Sequence, residues 1–370
     1  MSWFTGLDLL DATGLHRDIA LRVTADGAEI APRAGKSGTD LSRDGARALV
    51  TPGLVDLQVN GGAGRLLGDF TTIADLQAMD AAHWATGTAA VLPTLISDRP
   101  EVVRRVIDLI ASAQQSCPAI LGLHLEGPHL AVAGAHDPAL LRPLTDDDLA
   151  LYIAARARLG VLIITLAPEM VTQAQIGALN DAGVIVSLGH TGCDYDMACA
   201  AFASGARMAT HLFNAMSGLH HRNPGLVGAT LDCAMPYGLI ADGVHVHPAA
   251  LKIALAAHGP GAVLVSDAMA LTGSAADHFT LAGRPVSRRN GRLELADGTL
   301  AGADLTLVKA VENIAAWTAC DLADAAAMAT ARPLALTGRA HPTPSRWVIW
   351  QGGRATARID SGALLPLAQA

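Results

Sequence analysis

Between residues 53 and 267, short apolar runs alternate with longer stretches that mix Ala and Leu with Asp and Gln. The runs are "GLVDLQV" (53–59), "TAAVLPTL" (88–95), "ILGLHLE" (120–126), "GVLIITLAP" (160–168), "GVIVSLGH" (183–190), "ARMATH" (206–211), "YGLIAD" (237–242) and "AVLVSDA" (262–268). Helices are expected around 73–86, 99–116, 145–158, 170–182 and 248–258. This alternation predicts a parallel α/β architecture. Eight strand–helix units in succession predict a (β/α)8 TIM-type barrel over 51–335, with a doubly wound open sheet as the alternative. The ends of the chain read differently. Residues 1–50 contain hairpin-like pieces such as "IALRVTADGAEI", and "RWVIWQGGRATARID" alternates apolar and polar positions at period two. Residues 1–50 and 336–370 are therefore expected to pair into one small β-sandwich-like domain beside the barrel.

Composition narrows the function classes. Of 370 residues, 51% are hydrophobic and 16% charged, enough for a large core and incompatible with global disorder. A net charge of −8 argues against a general nucleic-acid binder, which needs a basic face. The longest apolar candidate, "ALKIALAAHGPGAVLV", is interrupted by Lys252, His258, Gly259 and Pro260, short of the ~18 residues of a membrane helix. The N-terminal "MSWFTGLDLL" has no signal-peptide pattern, and five cysteines without paired spacing do not suggest a disulfide framework. The cytoplasm is the expected compartment.

Candidate chemistry sits where a barrel would place it, at the C-terminal ends of the strands. The third run ends in Glu126, the fifth in His190, the sixth in His211 and the eighth in Asp267, while Asp242 and His245 follow the seventh. One carboxylate and two imidazoles suit zinc, with a fourth coordination position left for water. A buried carboxylate such as Glu126 is costly unless a cation or partner compensates it. Asp267, in "VSDAMALTG", is placed to move a proton, although an N-cap role is an alternative. The stretch "HLFNAMSGLHHRNPGLVGA" (211–229) offers Asn214 for hydroxyls or amides and Arg222 as a planar fork for phosphate or carboxylate. His129 and Cys193 are assigned to packing.

The ordered blocks "PGLVDLQVNGG", "LHLEGPHL", "GAHDP", "SLGHTG", "THLFNAM…RNPGLVG", "ADGVHVHP", "SDAMALTG" and "DGTLAG" resemble those of N-acetylglucosamine-6-phosphate deacetylases, in the amidohydrolase superfamily, over roughly residues 50–310. The resemblance implies that Glu126, His190 and His211 hold the metal and that Asp267 is the general acid/base. It implies that His136 polarises the acetyl carbonyl, and that Ala135, Asn214, Ala215, Leu300, Ala301 and Gly302 contact substrate. His245 and Arg222 match a phosphate-binding pair, the arginine coming from the neighbouring subunit of a homodimer. Gln58 and Asn60 stand where many amidohydrolases carry two histidines for a second metal, so one divalent ion is expected: zinc, with iron, cobalt or manganese as alternatives. Two departures are a stretch before "GAH" without basic residues and a C-terminal "TGRAHPTPSRWVIW" that matches only loosely. The alternatives are the N-acetylgalactosamine epimer or another N-acyl substrate, a cyclic-amide hydrolase, and a non-catalytic sugar-phosphate binder.

Overall fold

The computed structural model describes residues 2–368. Eight parallel strands form one sheet in chain order: Leu54–Val59, Thr88–Ile96, Leu123–Glu126, Leu162–Leu166, Ile185–Leu188, Met208–Ala209, Tyr237–Leu239 and Ala262–Leu264. The sheet curls until its edges meet, where Val59 bridges Ala268 in parallel and the Asn60 N–H donates to the Ala268 carbonyl at 2.8 Å. A barrel with no free edge results. Nearly every strand residue is buried, because helices cover the outer face and side chains fill the interior. Helices follow each strand, beginning with Ile73–Ala85, Pro100–Ala113, Asp146–Arg158 and Gln173–Asp181. Thr72, Thr145 and Thr172 start three of them with capping boxes closed by Asp75, Asp148 and Gln175. No helix among the described residues is long and apolar enough to cross a membrane.

The interior is not wholly apolar. His124 lies inside the barrel, its Nε2 2.7 Å from the Thr165 hydroxyl and its Nδ1 3.0 Å from the Leu57 carbonyl. Burial pushes its pKa down to about 4, so it is a neutral, hydrogen-bonded packing residue. His129, fully buried between the Arg142 carbonyl and the Tyr152 hydroxyl, is packing too.

Both ends of the chain build the second sheet. Strands Trp3–Asp11, Gly14–Thr24, Gly27–Pro32, Gly38–Asp40 and Ala48–Pro52 join Arg346–Gln351, Arg354–Asp360 and Ala363–Pro366. The seam pairs Ala48–Pro52 antiparallel with Arg346–Gln351. Phe4, Leu7, Leu9, Leu21, Val50, Trp347, Ile349 and Ile359 make its core. Arg346 anchors this sheet to the barrel by a two-pronged bond to Asp80 (2.6 and 3.1 Å), and Trp84 donates to Asp360 at 2.7 Å.

A third sheet was not anticipated. Between the eighth strand and helix Leu307–Trp317, the strands His278–Leu281, Arg284–Arg289, Arg292–Leu295 and Leu300–Ala303 form an antiparallel meander. Met269, Leu271, Leu281, Val286, Leu293, Leu295 and Ala301 give it a core of its own. Its last strand brings Leu300, Ala301 and Gly302 to the barrel mouth, where the Ala303 N–H donates to the Asp267 carbonyl at 2.9 Å. The loosely matching segment near 338–345 is tied in through His341, whose Nε2 lies 2.7 Å from the Gly53 carbonyl.

Candidate active site

The expected residues converge, with one correction to their placement. Only Glu126 lies within its strand. His190 follows the end of the fifth strand by two residues, His211 follows the sixth by two, and Asp267 follows the eighth by three. All three adopt left-handed backbone conformations, with φ of 50°, 27° and 49°. Such geometry costs a non-glycine residue roughly 1–3 kcal/mol and concentrates at functional sites. Here it turns each side chain from the strand direction into the mouth.

Glu126, His190 and His211 form a tight triangle. His211 Nε2 is 2.9 Å from Glu126 Oε1, His190 Nε2 is 3.3 Å from the same oxygen, and the two Nε2 atoms are 3.2 Å apart. Nitrogen and oxygen donors about 2.0–2.2 Å from one tetrahedral ion lie roughly 3.3–3.5 Å from each other. The triangle therefore fits a single divalent cation and leaves a coordination position open. His190 Nδ1 lies 2.8 Å from the Val132 carbonyl, which places the proton there and directs the Nε2 lone pair inward.

Burial works against ionisation of Glu126, but the His211 hydrogen bond and the close approach of both imidazoles hold its carboxyl well below the ordinary value. Burial likewise disfavours His211 imidazolium, yet the bond to Glu126 raises its pKa above the ordinary 6.5. Without an ion, a proton on His211 Nε2 bridges to Glu126. A cation must displace it, so ion binding releases a proton and weakens as pH falls through that raised value. Zinc affinity measured by competition with a chelator should be severalfold lower at pH 6 than at pH 8.

Asp267 is buried beside this triangle at the wall of the same cavity. Its Oδ1 accepts from Asn60 Nδ2 at 2.7 Å and Gln58 Nε2 at 3.2 Å, and Gln58 also donates to Glu126 Oε1 at 3.1 Å. Gln58 places an N–H group between the two carboxylates and Asn60 another against Asp267, where a second cation would need lone pairs. That chemistry fits one ion, not two. Burial, then the charge of Glu126, push Asp267 up to about 6, a value suited to moving protons near neutrality. Asp56 steadies the arrangement from below by accepting from the Gln58 and Ser266 N–H groups, each at 3.1 Å at its shorter contact. Among the described residues, Asn60 Oδ1 is buried without a hydrogen-bond partner at the cavity wall.

His136 contributes a defined donor. Its Nδ1 accepts from the Ser97 backbone N–H at 3.2 Å and lies 2.9 Å from the Ser97 hydroxyl, so the ring proton is on Nε2. Burial, then the neighbouring His190, push its pKa down to about 3, keeping it neutral. On the other side of the mouth, His245 Nδ1 bonds to Asp242 Oδ2 at 2.6 Å, and Asp242 Oδ1 accepts from the Val244 and His245 N–H groups at 2.8 Å each. Burial opposes ionisation of Asp242, but these bonds prevail and hold its pKa below the ordinary value. His245 Nε2 is thereby left to face a ligand.

The cavity enclosed has a volume of about 320 Å³. Asn60, Glu126, Ala135, His136, His190, His211, Asn214, Ala215, His245, Asp267, Leu300, Ala301 and Gly302 all line it. Gln58 sits just behind. Gly302 has φ of 67°, and a Cβ there would meet Met269 at 2.5 Å and the Asp267 carbonyl at 2.9 Å, so the turn is closed to side chains. Arg222 is not among the lining residues; it is exposed on a turn closed by reciprocal His220–Asn223 backbone bonds. Among the described residues no Lys or Arg lines the cavity. Arg284, which bonds the Ala135 carbonyl, supplies a cation at the rim that the sequence did not reveal. Sequence reasoning also missed Val132, Gly134, Met269, Leu281 and Thr299. Thr299 lies inside the block "DGTLAG", and the period-two pattern of 278–303 was the signal that could have placed Leu281.

A closed parallel barrel with a buried Glu/His/His cluster that could hold a metal at its mouth is the architecture of an amidohydrolase. The chain is 42% identical over 286 residues to an N-acetylgalactosamine-6-phosphate deacetylase of Shewanella sp. (strain ANA-3), covering 76% of this chain and 72% of that protein. It is 37% identical over 318 residues to the human N-acetylglucosamine-6-phosphate deacetylase, with coverage of 81% and 77%. It also superposes, at a TM-score of 0.87 and 28% identity over 98% of both chains, on an aspartate-to-alanine mutant of the Mycobacterium smegmatis N-acetyl-D-glucosamine-6-phosphate deacetylase in complex with N-acetyl-D-glucosamine-6-phosphate. No protein-family model matches the chain. The protein belongs to the N-acetylglucosamine-6-phosphate deacetylase family, and is an enzyme of hydrolytic deacetylation.

Proposed function

We propose that the protein hydrolyses the N-acetyl group of N-acetyl-D-glucosamine 6-phosphate, giving D-glucosamine 6-phosphate and acetate in amino-sugar catabolism. The observation that carries this reading is the convergence of Asp267 and His136 on the face of the Glu126–His190–His211 triangle. Those three side chains would hold one divalent ion, zinc being best matched to the donor set, with iron, cobalt or manganese also accepted by such donors. When bound, the ion lowers the pKa of water toward ~7 and polarises a carbonyl.

The remaining roles follow from this chain's own atoms. Asp267 takes a proton from the attacking water and passes it to the departing nitrogen. His136 offers its Nε2 proton to the oxygen on which charge develops. Asn60 Oδ1, an acceptor without a partner beside Asp267, is matched to the N–H of the scissile amide, a group that an ester lacks. Ala135, Asn214 and Ala215 on one wall and Leu300, Ala301 and Gly302 on the other orient the sugar.

The phosphate makes the cavity incomplete in one chain. A dianion faces His245 but no lysine or arginine of its own cavity wall. An exposed arginine on an otherwise ordered turn suits donation across a symmetric interface, so Arg222 reaching the site of a neighbouring subunit in a homodimer is part of this reading. Arg222→Ala should raise KM for the phosphorylated sugar roughly 10²-fold while changing that for the unphosphorylated sugar less than about twofold. Steady-state kinetics on both compounds checks this, and equal effects on both remove Arg222 from phosphate binding.

A second reading, favoured by the 42% identity to the Shewanella protein, is the N-acetylgalactosamine 6-phosphate epimer. The two sugars differ by the orientation of one hydroxyl. Acetate release with each epimer, combined with elemental analysis of the purified protein, tests both the reaction and the ion. Absence of acetate release from either sugar phosphate by metal-replete enzyme overturns the proposal.

A further inference from the structure

Away from the mouth, two thiols meet on the outer wall of the barrel. Cys199, on helix Tyr195–Ala203, and Cys233, which ends helix Gly225–Asp232, have their Sγ atoms 3.5 Å apart. Cys233 is exposed and Cys199 partly so, whereas Cys117 and Cys193 are buried. The same two helices are held in register by a second contact, the Tyr195 hydroxyl donating to Asp232 Oδ2 at 2.5 Å. Neither thiol lines the cavity. Their helices nonetheless follow the segments that carry His190 and His211.

We propose that Cys199 and Cys233 form a reversible dithiol–disulfide site whose co-reactant is a low-molecular-weight disulfide of the glutathione type. The exposed Cys233 thiolate attacks one sulfur of the disulfide, forming a mixed disulfide and releasing one thiol. Cys199 then loses its proton and attacks Cys233 Sγ, closing the intramolecular bond and expelling the second thiol. Two protein thiols are oxidised by two electrons and one small disulfide is reduced to two thiols, so atoms, protons and electrons balance. The sulfurs need to close by only about 1.5 Å to reach bonding distance, within the reach of side-chain rotation. Partial burial, the Cys199 sulfur and the Asp232 charge push the Cys233 thiol up to about 11. The exchange should speed up as pH rises and more of the thiol pair ionises. The bond would pin the helix after His190 to the helix after the 211–224 segment and leave the cavity untouched.

The test is intact-mass analysis of the metal-replete enzyme after incubation with oxidised glutathione, acid quenching and alkylation. The wild type should lose about 2 Da before alkylation and carry two fewer alkyl groups than the reduced control after it, without retaining a glutathione adduct, and a reductant should reverse this. Peptide mapping should join Cys199 to Cys233. In Cys199→Ser the adduct on Cys233 should persist, because the resolving thiol is gone. The oxidised wild type should gain several degrees in Tm and keep its activity within about twofold, a gain that Cys233→Ser should not show. Stable adducts on the wild type, or a bond mapped to Cys320 instead, overturn the proposal. Mapping on the wild type decides the matter even if a serine variant fails to fold.

Discussion

Asp267→Asn should lower kcat about 10³-fold while leaving metal content and KM within a few-fold of the wild type. The asparagine oxygen can still accept from Asn60 Nδ2 and Gln58 Nε2, so the packing around residue 267 is preserved. What disappears is a group that can accept and return a proton. A carboxyl pushed up to about 6 by burial and by Glu126 is an adequate base and a competent acid near neutrality, and an amide is neither. The measurement is kcat and KM for the sugar phosphate beside elemental analysis of both proteins. A variant with wild-type turnover and full metal content would remove Asp267 from proton transfer. A variant that has lost its metal would show that Asp267 holds the ion instead, a role that the 2.9–3.3 Å triangle leaves to the other three side chains.

Much of this architecture was legible because it depends on local patterns. Apolar runs of six to nine residues separated by helical stretches point to a parallel α/β sheet, eight in succession favour a barrel over a doubly wound sheet, and a carboxylate closing such a run, as Glu126 does, has few inexpensive explanations. The sixth strand is only Met208–Ala209, yet its position was recoverable from the histidine that follows it. Three features were not legible. The left-handed turns at His190, His211 and Asp267 arise from closure of the barrel mouth, since nothing in "LGH", "ATH" or "VSD" demands a positive φ. The 278–303 meander is written in short, arginine-rich segments whose core is a handful of residues, so it reads as a surface excursion. The tautomers of His136 and His190 are fixed by Ser97 and the Val132 carbonyl, 39 and 58 residues away. Such contacts exist only once the chain has folded.

The same distinction between a local carboxylate and its assembled surroundings sets the second large effect. Glu126→Gln should weaken zinc binding by more than about 100-fold, beyond the effect of disturbing a residue that merely supports a ligand, and activity should fall with it. A neutral amide is a poor ligand, and it also removes the charge that holds the other two ligands together. In the ion-free chain, Glu126 is matched by the proton on His211, so this substitution trades a buried charged pair for a buried neutral one. Replacing such a pair by neutral groups of similar shape costs little. The chelated variant should therefore melt within a few degrees of the chelated wild type. The difference should emerge on adding zinc. At about 1,000 times its Kd the ion contributes about 4 kcal/mol to wild-type stability, which raises Tm clearly, and the variant at the same concentration, at about 10 times its own Kd or less, should gain no more than about 1.4 kcal/mol. Calorimetric melting of both proteins with and without zinc makes the comparison. If the variant is stabilised as strongly as the wild type, the ion binds elsewhere, and the Glu126–His190–His211 triangle is a hydrogen-bonded core cluster.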